Sequence, residues 1–183
     1  MTRVFLRGAF FSLGLAFAVP AMAERDVRIG LPDHGALHLK LPDNWQERIQ
    51  RQEDPKEAPL IEITPEKGAA FRIVISPVWP TSPQDKLPDA EAIRSLMQTG
   101  AKAARAEAVE KEIKVEDVRG MQALGSYFSA TDKDPAPGDF LNLTQGLVRV
   151  NDICVSFRVF SNGPRAVVLE PALKMIRLMR HSQ

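Results

Sequence analysis

Residues 141–160 read LNLTQGLVRV-ND-ICVSFRVF. Two β-prone runs, Leu141 to Val150 and Ile153 to Phe160, flank Asn151-Asp152, a pair that tolerates positive φ and so suits a two-residue hairpin turn. In the second run Ile153, Val155, Phe157 and Val159 fall on one face of a strand and Cys154, Ser156 and Arg158 on the other. This hairpin argues for antiparallel pairing, and the chain on either side repeats the argument.

Upstream, Ile113 to Val118 and Met121 to Thr131 are strand-like around a turn at Arg119-Gly120. Further back, Leu60-Ile61-Glu62-Ile63-Thr64 and Phe71-Arg72-Ile73-Val74-Ile75-Ser76 are bounded by Pro59, Pro65 and Pro77 and joined through Glu66-Lys67-Gly68, which is turn chemistry. Leu37, Leu39 and Leu41 alternate with His38 and Lys40 in another half-buried strand, stopped at Pro42-Asp43-Asn44. From Trp45 to Pro55 only Ile49 is apolar after the tryptophan, which reads as an exposed edge strand or a loop, with Trp45 closing the end of the core. Pro77, Pro80, Pro83 and Pro88 exclude regular structure around Trp79. After them Asp89 stands where an N-cap belongs, with Glu91 in the first turn. Ile93, Leu96, Met97, Gly100, Ala104 and Ala108 then follow helical spacing over about five turns. A last helix is expected from Leu169 to Arg180, with Leu169, Ala172, Leu173 and Ile176 inward and Pro171 in its first turn or at a kink. Consecutive hairpins without βαβ alternation give an α+β fold: one antiparallel β-sheet with a long mid-chain helix and a C-terminal helix packed on it.

The N-terminus is of another kind. Arg3 and Arg7 precede an uncharged run, and Ala21-Met22-Ala23 places small residues at the −3 and −1 positions, the pattern of a signal peptide over residues 1–23 cleaved after Ala23. The run is too short to span a bilayer and no cysteine follows for lipidation. The expected mature product is a single α+β domain over 24–183, periplasmic and without a transmembrane anchor. Cleavage removes two of the 24 basic residues and none of the 23 acidic ones, leaving a near-neutral chain that offers no basic excess to nucleic acid. One cysteine excludes an internal disulfide framework and a cysteine-based zinc site.

The order of elements, together with Leu41-Pro42-Asp43-Asn44-Trp45 after the first strand and the hairpin through Gly120 and Tyr127, resembles the PsbP-like fold. That fold is shared by an extrinsic photosystem II subunit, a Ran-binding nuclear import factor and many exported bacterial proteins. The resemblance implies an α/β/α sandwich serving mainly as a binding module or assembly factor, with no common catalytic site, and it carries no functional residue onto this chain.

No constellation of catalytic residues is legible. Gly-x-Ser-x-Gly is absent and Ser126 lies in a strand. His34 and His38 are four apart, but Gly35 and the strand at Leu37 argue against a helix that would align them on a metal, so both are expected in solvent. Cys154 lies within a strand and is expected to be a buried, inert thiol. Asp132, Asp134 and Asp139 share a loop with Pro135 and Pro137, without the glycine and terminal Glu of an EF-hand, and read as a solvated turn. The reading is therefore a non-enzymatic periplasmic binding or accessory protein, needing no cofactor, that contacts another envelope or exported protein. Its expected contact surface is Trp79 and Pro80 with Asp132, Asp134 and Asp139, since Trp is common at binding hot spots. The alternatives are a carrier of a small apolar ligand held between the sheet and the helix bearing Leu96, Met97 and Ala104, or an enzyme whose residues converge only on folding. Assembly factor and immunity protein are equally compatible with the binding reading.

Overall fold

The computed structural model describes residues 23–54, 57–68, 70–82 and 84–183; the expected leader, apart from Ala23, lies outside them. Among the described residues ten strands and two helices follow in chain order. They are β1 (Glu24–Gly30), β2 (Ala36–Pro42), β3 (Trp45–Gln50), β4 (Leu60–Pro65), β5 (Phe71–Val78), α1 (Ala90–Ala104), β6 (Val115–Arg119), β7 (Ala123–Thr131), β8 (Asn142–Val150), β9 (Ile153–Ser161), α2 (Arg165–Leu178) and β10 (Arg180–Ser182).

Seven strands form one antiparallel sheet in the order β3-β4-β5-β9-β8-β7-β6. The β8–β9 hairpin at its centre turns through Asn151 at φ 55°, as the Asn-Asp pair requires. A second sheet, β1-β2-β10, was not expected from the sequence. β1 has only Val27 and Ile29 buried among charged neighbours, and three-residue β10 is too short to show a period. β3 is an edge strand, one of the two alternatives its polar composition left open, and Trp45 is buried against Phe71 with ring centroids 4.6 Å apart.

The pleat of the large sheet sorts its residues into two layers. Ile61, Ile63, Ile73, Ile75, Val155, Phe157 and Val159 face one side, where the small sheet and α2 cover them in a single apolar core. Phe128 and its alternates face the other side, where α1 crosses β6, β7 and β8. The helices thus lie on opposite faces of the large sheet.

α1 starts at the expected cap, Asp89 accepting a hydrogen bond from the Ala92 N–H at 2.8 Å. It ends at Ala104, one turn before the expected Ala108, which instead bridges to Asp132. Its buried stripe is Ile93, Met97 and Ala101, whereas Leu96, expected inward, is exposed. Gly100 lets the helix approach closely, since a Cβ there would stand 3.0 Å from the Phe128 ring. α2 begins at Arg165, four residues earlier than expected, so Pro171 lies inside it rather than in its first turn. The proline leaves the carbonyl of Val167 without its helical donor, and Val167 is exposed, so water reaches that turn. No helix among the described residues is long and apolar enough to cross a bilayer.

Candidate functional site: a pocket at the edge of an open sheet face

α1 shields only half of its side of the large sheet. The strand registers place Gln46, Arg48 and Gln50 of β3, Leu60, Glu62 and Thr64 of β4, Arg72, Val74 and Ser76 of β5, and Ser156, Arg158 and Phe160 of β9 on that side. Neither helix packs on these strands from there; Arg48, Arg72 and Arg158 are exposed, and Val74, Ser156 and Phe160 are half-buried.

Where the open half meets the end of α1, the surface sinks into a pocket of about 360 Å³. Its floor is Ala130, Leu143 and Phe160; Ala104 and Ala108 form one wall, and Phe140 and Leu141 another. Two rims carry opposite charge. On one stand Asp132, Asp139 and Glu107. On the other stands Arg72, its guanidinium 5.1 Å from the ring centre of Phe160 and 5.7 Å from that of Phe140. Such contacts hold a cation in place at little cost in hydration.

Local backbone bonds make the pocket wall a built feature. The Asp132 N–H donates to the Leu141 carbonyl at 2.8 Å, closing the 132–141 loop at its base. Within the loop the Asp134 N–H donates to Asp132 Oδ1 at 2.9 Å, and Gly138 takes φ 95°. Lys133 N–H donates to the Glu107 carbonyl at 3.0 Å, and Lys133 Nζ to the Ala106 carbonyl at 2.6 Å, which ties the loop to the segment leaving α1. Beneath it, the Glu110 carboxylate accepts from the Thr131 N–H, the Thr131 hydroxyl and Arg165 Nη2, each at 2.8 Å. Partial burial alone would push this carboxyl up, but the Thr131 N–H, Arg165 and the Thr131 hydroxyl outweigh it and hold it at about 2.

Of the residues expected at a contact surface, Asp132 and Asp139 line this pocket, and Asp134 is exposed in the same loop. Trp79 and Pro80 are elsewhere. Phe71, at the start of β5, shares a row with Ser161, Asn142 and Thr131, whereas Val78 at its end pairs with Cys154. The Trp79 loop and the aspartate loop therefore leave opposite ends of the sheet, about 23 Å apart at the usual rise per residue. Trp79 folds back on the core, half-buried, with its ring centre 4.4 Å from that of His34. Trp79→Ala is accordingly expected to lower stability by about 1 kcal/mol, read from the thermal midpoint, and to leave a ligand in the pocket bound as before.

Of the space expected between α1 and the sheet for a small ligand, the part at Met97 is filled by Phe128 packed against Met97 and Ala101, and the part at Ala104 opens into the pocket. The two histidines expected in solvent are both half-buried, His34 under Trp79 and His38 with Nε2 2.9 Å from the Ser182 hydroxyl. Cys154 is buried, which pushes its thiol up against the opposing influence of Arg149. Among the described residues no three His, Cys, Asp or Glu side chains converge as a metal site would need.

The sequence reading missed His181. It is 4% exposed, with Nε2 2.6 Å from the His34 carbonyl and Nδ1 2.6 Å from Asp152 Oδ1 in a contact too bent for a regular hydrogen bond. Burial works to raise the Asp152 carboxyl, but a hydrogen bond from Gln183, its own backbone N–H and the nearby imidazole hold it below the usual carboxylate range. The signal was slight: a buried Met179 and an inward His181 two residues on, in a strand of three residues.

The sequence matches no family model and no curated protein. Solved structures do resemble it. A solution structure of cyanobacterial PsbP (CyanoP) from Synechocystis sp. PCC 6803 aligns over 93% of this chain and 99% of its own, at 9% identity and a TM-score of 0.47. A crystal structure from Bacteroides thetaiotaomicron VPI-5482 aligns over 80% of this chain but only 45% of its own, at 12% identity and a TM-score of 0.36. The first of these is a PsbP protein, the kind of fold that the order of elements resembles.

Proposed function

We propose that this chain is a non-enzymatic, exported binding protein that acts through protein–protein contacts, with the pocket at the end of α1 as its anchor site. One observation carries the reading: a preformed apolar pocket opens directly onto half a sheet face that neither helix covers. A pocket of this kind takes a bulky side chain of a partner, and the flat strands beside it take the flanking residues. The perturbed carboxylates support a scaffold role, since Glu110, Glu47 and Asp152 are each engaged by partners within the fold. A periplasmic setting follows from the leader pattern of residues 1–23.

The test is site-specific photocrosslinking in the producing cells, with a benzophenone side chain in place of Leu143 on the pocket floor or, as a control, of Val167 on α2. The pocket position is expected to give a single protein adduct of discrete mass and the control position none. Absence of any adduct at Leu143, with a small molecule retained by the native protein in mass spectrometry, would replace this reading with the carrier, whose ligand would then occupy the same apolar pocket.

A further inference from the structure

The open half-face carries more than shape. Across β3, β4, β5, β9 and β8 its charged residues are Arg48, Arg72, Arg149, Arg158 and the single acid Glu62. Arg72 approaches Glu62 at 3.9 Å. Among the described residues no carboxylate lies within ion-pair distance of Arg48, Arg149 or Arg158, although all three are exposed. The chain as a whole has a formal charge of +1, so this is local excess, placed on one face of a nearly neutral molecule. Four positive groups set against one acid, Glu62, which stands directly opposite Arg48 and 3.9 Å from Arg72, leave a local positive excess suited to an anionic partner.

Their placement relative to the pocket restricts that partner. Arg72 shares a row with Phe160, Leu143 and Ala130, so it stands at the pocket mouth. Arg158 is one row further along β9, about 7 Å from Phe160, and that row continues through Val74 and Glu62 to Arg48 at the edge strand. Arg149 lies beyond, beside Cys154. On the opposite rim the charge reverses, with Asp132 and Asp139, beside Glu107, which is paired to Lys133 at 3.4 Å. A uniform polyanion such as a phosphate backbone would meet repulsion as soon as it reached the pocket. A polypeptide can change its chemistry from residue to residue.

We infer that the partner of this face is an acidic polypeptide segment with one bulky apolar side chain: the apolar residue fills the pocket, and the Asp or Glu residues that flank it on one side lie over Arg72, Arg158 and Arg48. The inference rests on the protein-binding reading above and adds the partner's charge and orientation. The acidic rim fixes the direction, because the acidic stretch must leave the pocket across the sheet and away from the 132–141 loop. Salt then weakens the complex through its exposed ion pairs while the apolar anchor persists.

The test uses the full chain and two fluorescein-labelled twelve-residue peptides, each with one Phe near its N-terminus and alternating Glu-Thr or alternating Lys-Thr after it. Fluorescence anisotropy is read at low salt and again at 200 mM added salt. The Glu peptide is expected to bind at least tenfold more tightly than the Lys peptide, to lose at least fivefold in affinity with salt, and to lose at least tenfold on the double substitution Arg48→Glu, Arg158→Glu. Ala108→Trp, which fills the pocket and leaves every arginine in the sequence, should also weaken the Glu peptide at least fivefold. Both variants change exposed or pocket-wall positions, and circular dichroism with thermal melts confirms that they fold. Equal binding of the two peptides, no binding of the Glu peptide, or indifference to the arginine reversal overturns the inference. Equal, arginine-dependent binding of a DNA duplex or of phosphatidylglycerol vesicles would likewise replace the polypeptide with a plain polyanion. If the Leu143 crosslink captures a protein whose capture does not respond to Arg48→Glu and Arg158→Glu, the binding reading stands and the acidic partner falls.

Discussion

Phe157→Ala is expected to destabilise the protein by about 3–5 kcal/mol, the range for deleting a fully buried aromatic ring. Phe157 has no exposure, lies at the middle of central strand β9, and faces the layer shared by the large sheet, the small sheet and α2. Its position is specified by the residues beside it in the same row of the same face. On β8, Gly146 stands directly opposite, and a Cβ there would come within 2.2 Å of the Phe157 ring and 2.8 Å of the Tyr127 Cβ. The absence of a side chain at Gly146 makes room for that ring, so the cavity left by the alanine variant would open beneath a strand with nothing to fill it. The combination Gly146→Ala with Phe157→Ala tests this directly. The added methyl should partly refill the void, and the double variant should be less destabilised than the sum of the two single changes. Urea unfolding of the four proteins measures the coupling, and strict additivity would remove the proposed lock between the two residues.

The second large effect concerns acid. The Glu110 carboxyl titrates at about 2 in the folded chain, below its ordinary 4.5. A carboxylate with a depressed folded value stabilises the fold fully above its unfolded value, and that contribution fades as pH falls from about 4.5 towards 2. Solvent reaches part of the site, which reduces the nominal worth of the shift to about 2 kcal/mol. Glu110→Gln should therefore cost about that much at pH 7 and progressively less as the wild-type carboxyl protonates, with the two proteins converging near pH 2. Arg165 deepens the loss at neutral pH. Its Nε is buried without a partner, and it relies on Glu110 and Thr131 for its remaining contacts. Urea midpoints at pH 7, 4.5, 3 and 2 for both proteins give the result. A difference that stays constant down to pH 2 would show that the ionised carboxylate is not what matters.

How far the sequence disclosed this structure follows from the range of the interactions involved. Hairpins were readable because a turn and two alternating strands are local: Asn151-Asp152 with Ile153, Val155, Phe157 and Val159 needed only neighbouring residues to be understood. The cap at Asp89 was readable for the same reason. β1 and β10 were not, because both are assigned by pairing with β2 rather than by their own composition. Leu96 was misplaced since helical spacing gives a stripe about four residues wide, and the actual stripe centres on Ile93, Met97 and Ala101, one position round. The site was legible in fragments. Asp132 and Asp139 stand out as a polar loop, but nothing in the sequence brings them to Arg72, Phe160 and Ala108, which come from two other strands and the end of α1. Grouping the Trp79 loop with them failed because strand direction decides at which end of a sheet a loop emerges, and that depends on the pairing of β5 with β9.

The small sheet has a further consequence, for the order in which the chain can mature. β2 pairs with β1 along one edge and with β10 along the other, so residues 36–38 wait for residues 180–182. A chain emerging vectorially from a ribosome, or threading through a narrow channel, can make β1–β2 early but leaves the second edge of β2 open until residues 180–182 have emerged. Long-range closures of this kind come late, because bringing distant segments together costs loop entropy before any contact rewards it. His181 then enters its buried seat between Asp152 and the His34 carbonyl. A chain caught before residues 180–182 emerge keeps one unpaired edge on β2, by which it can be held open.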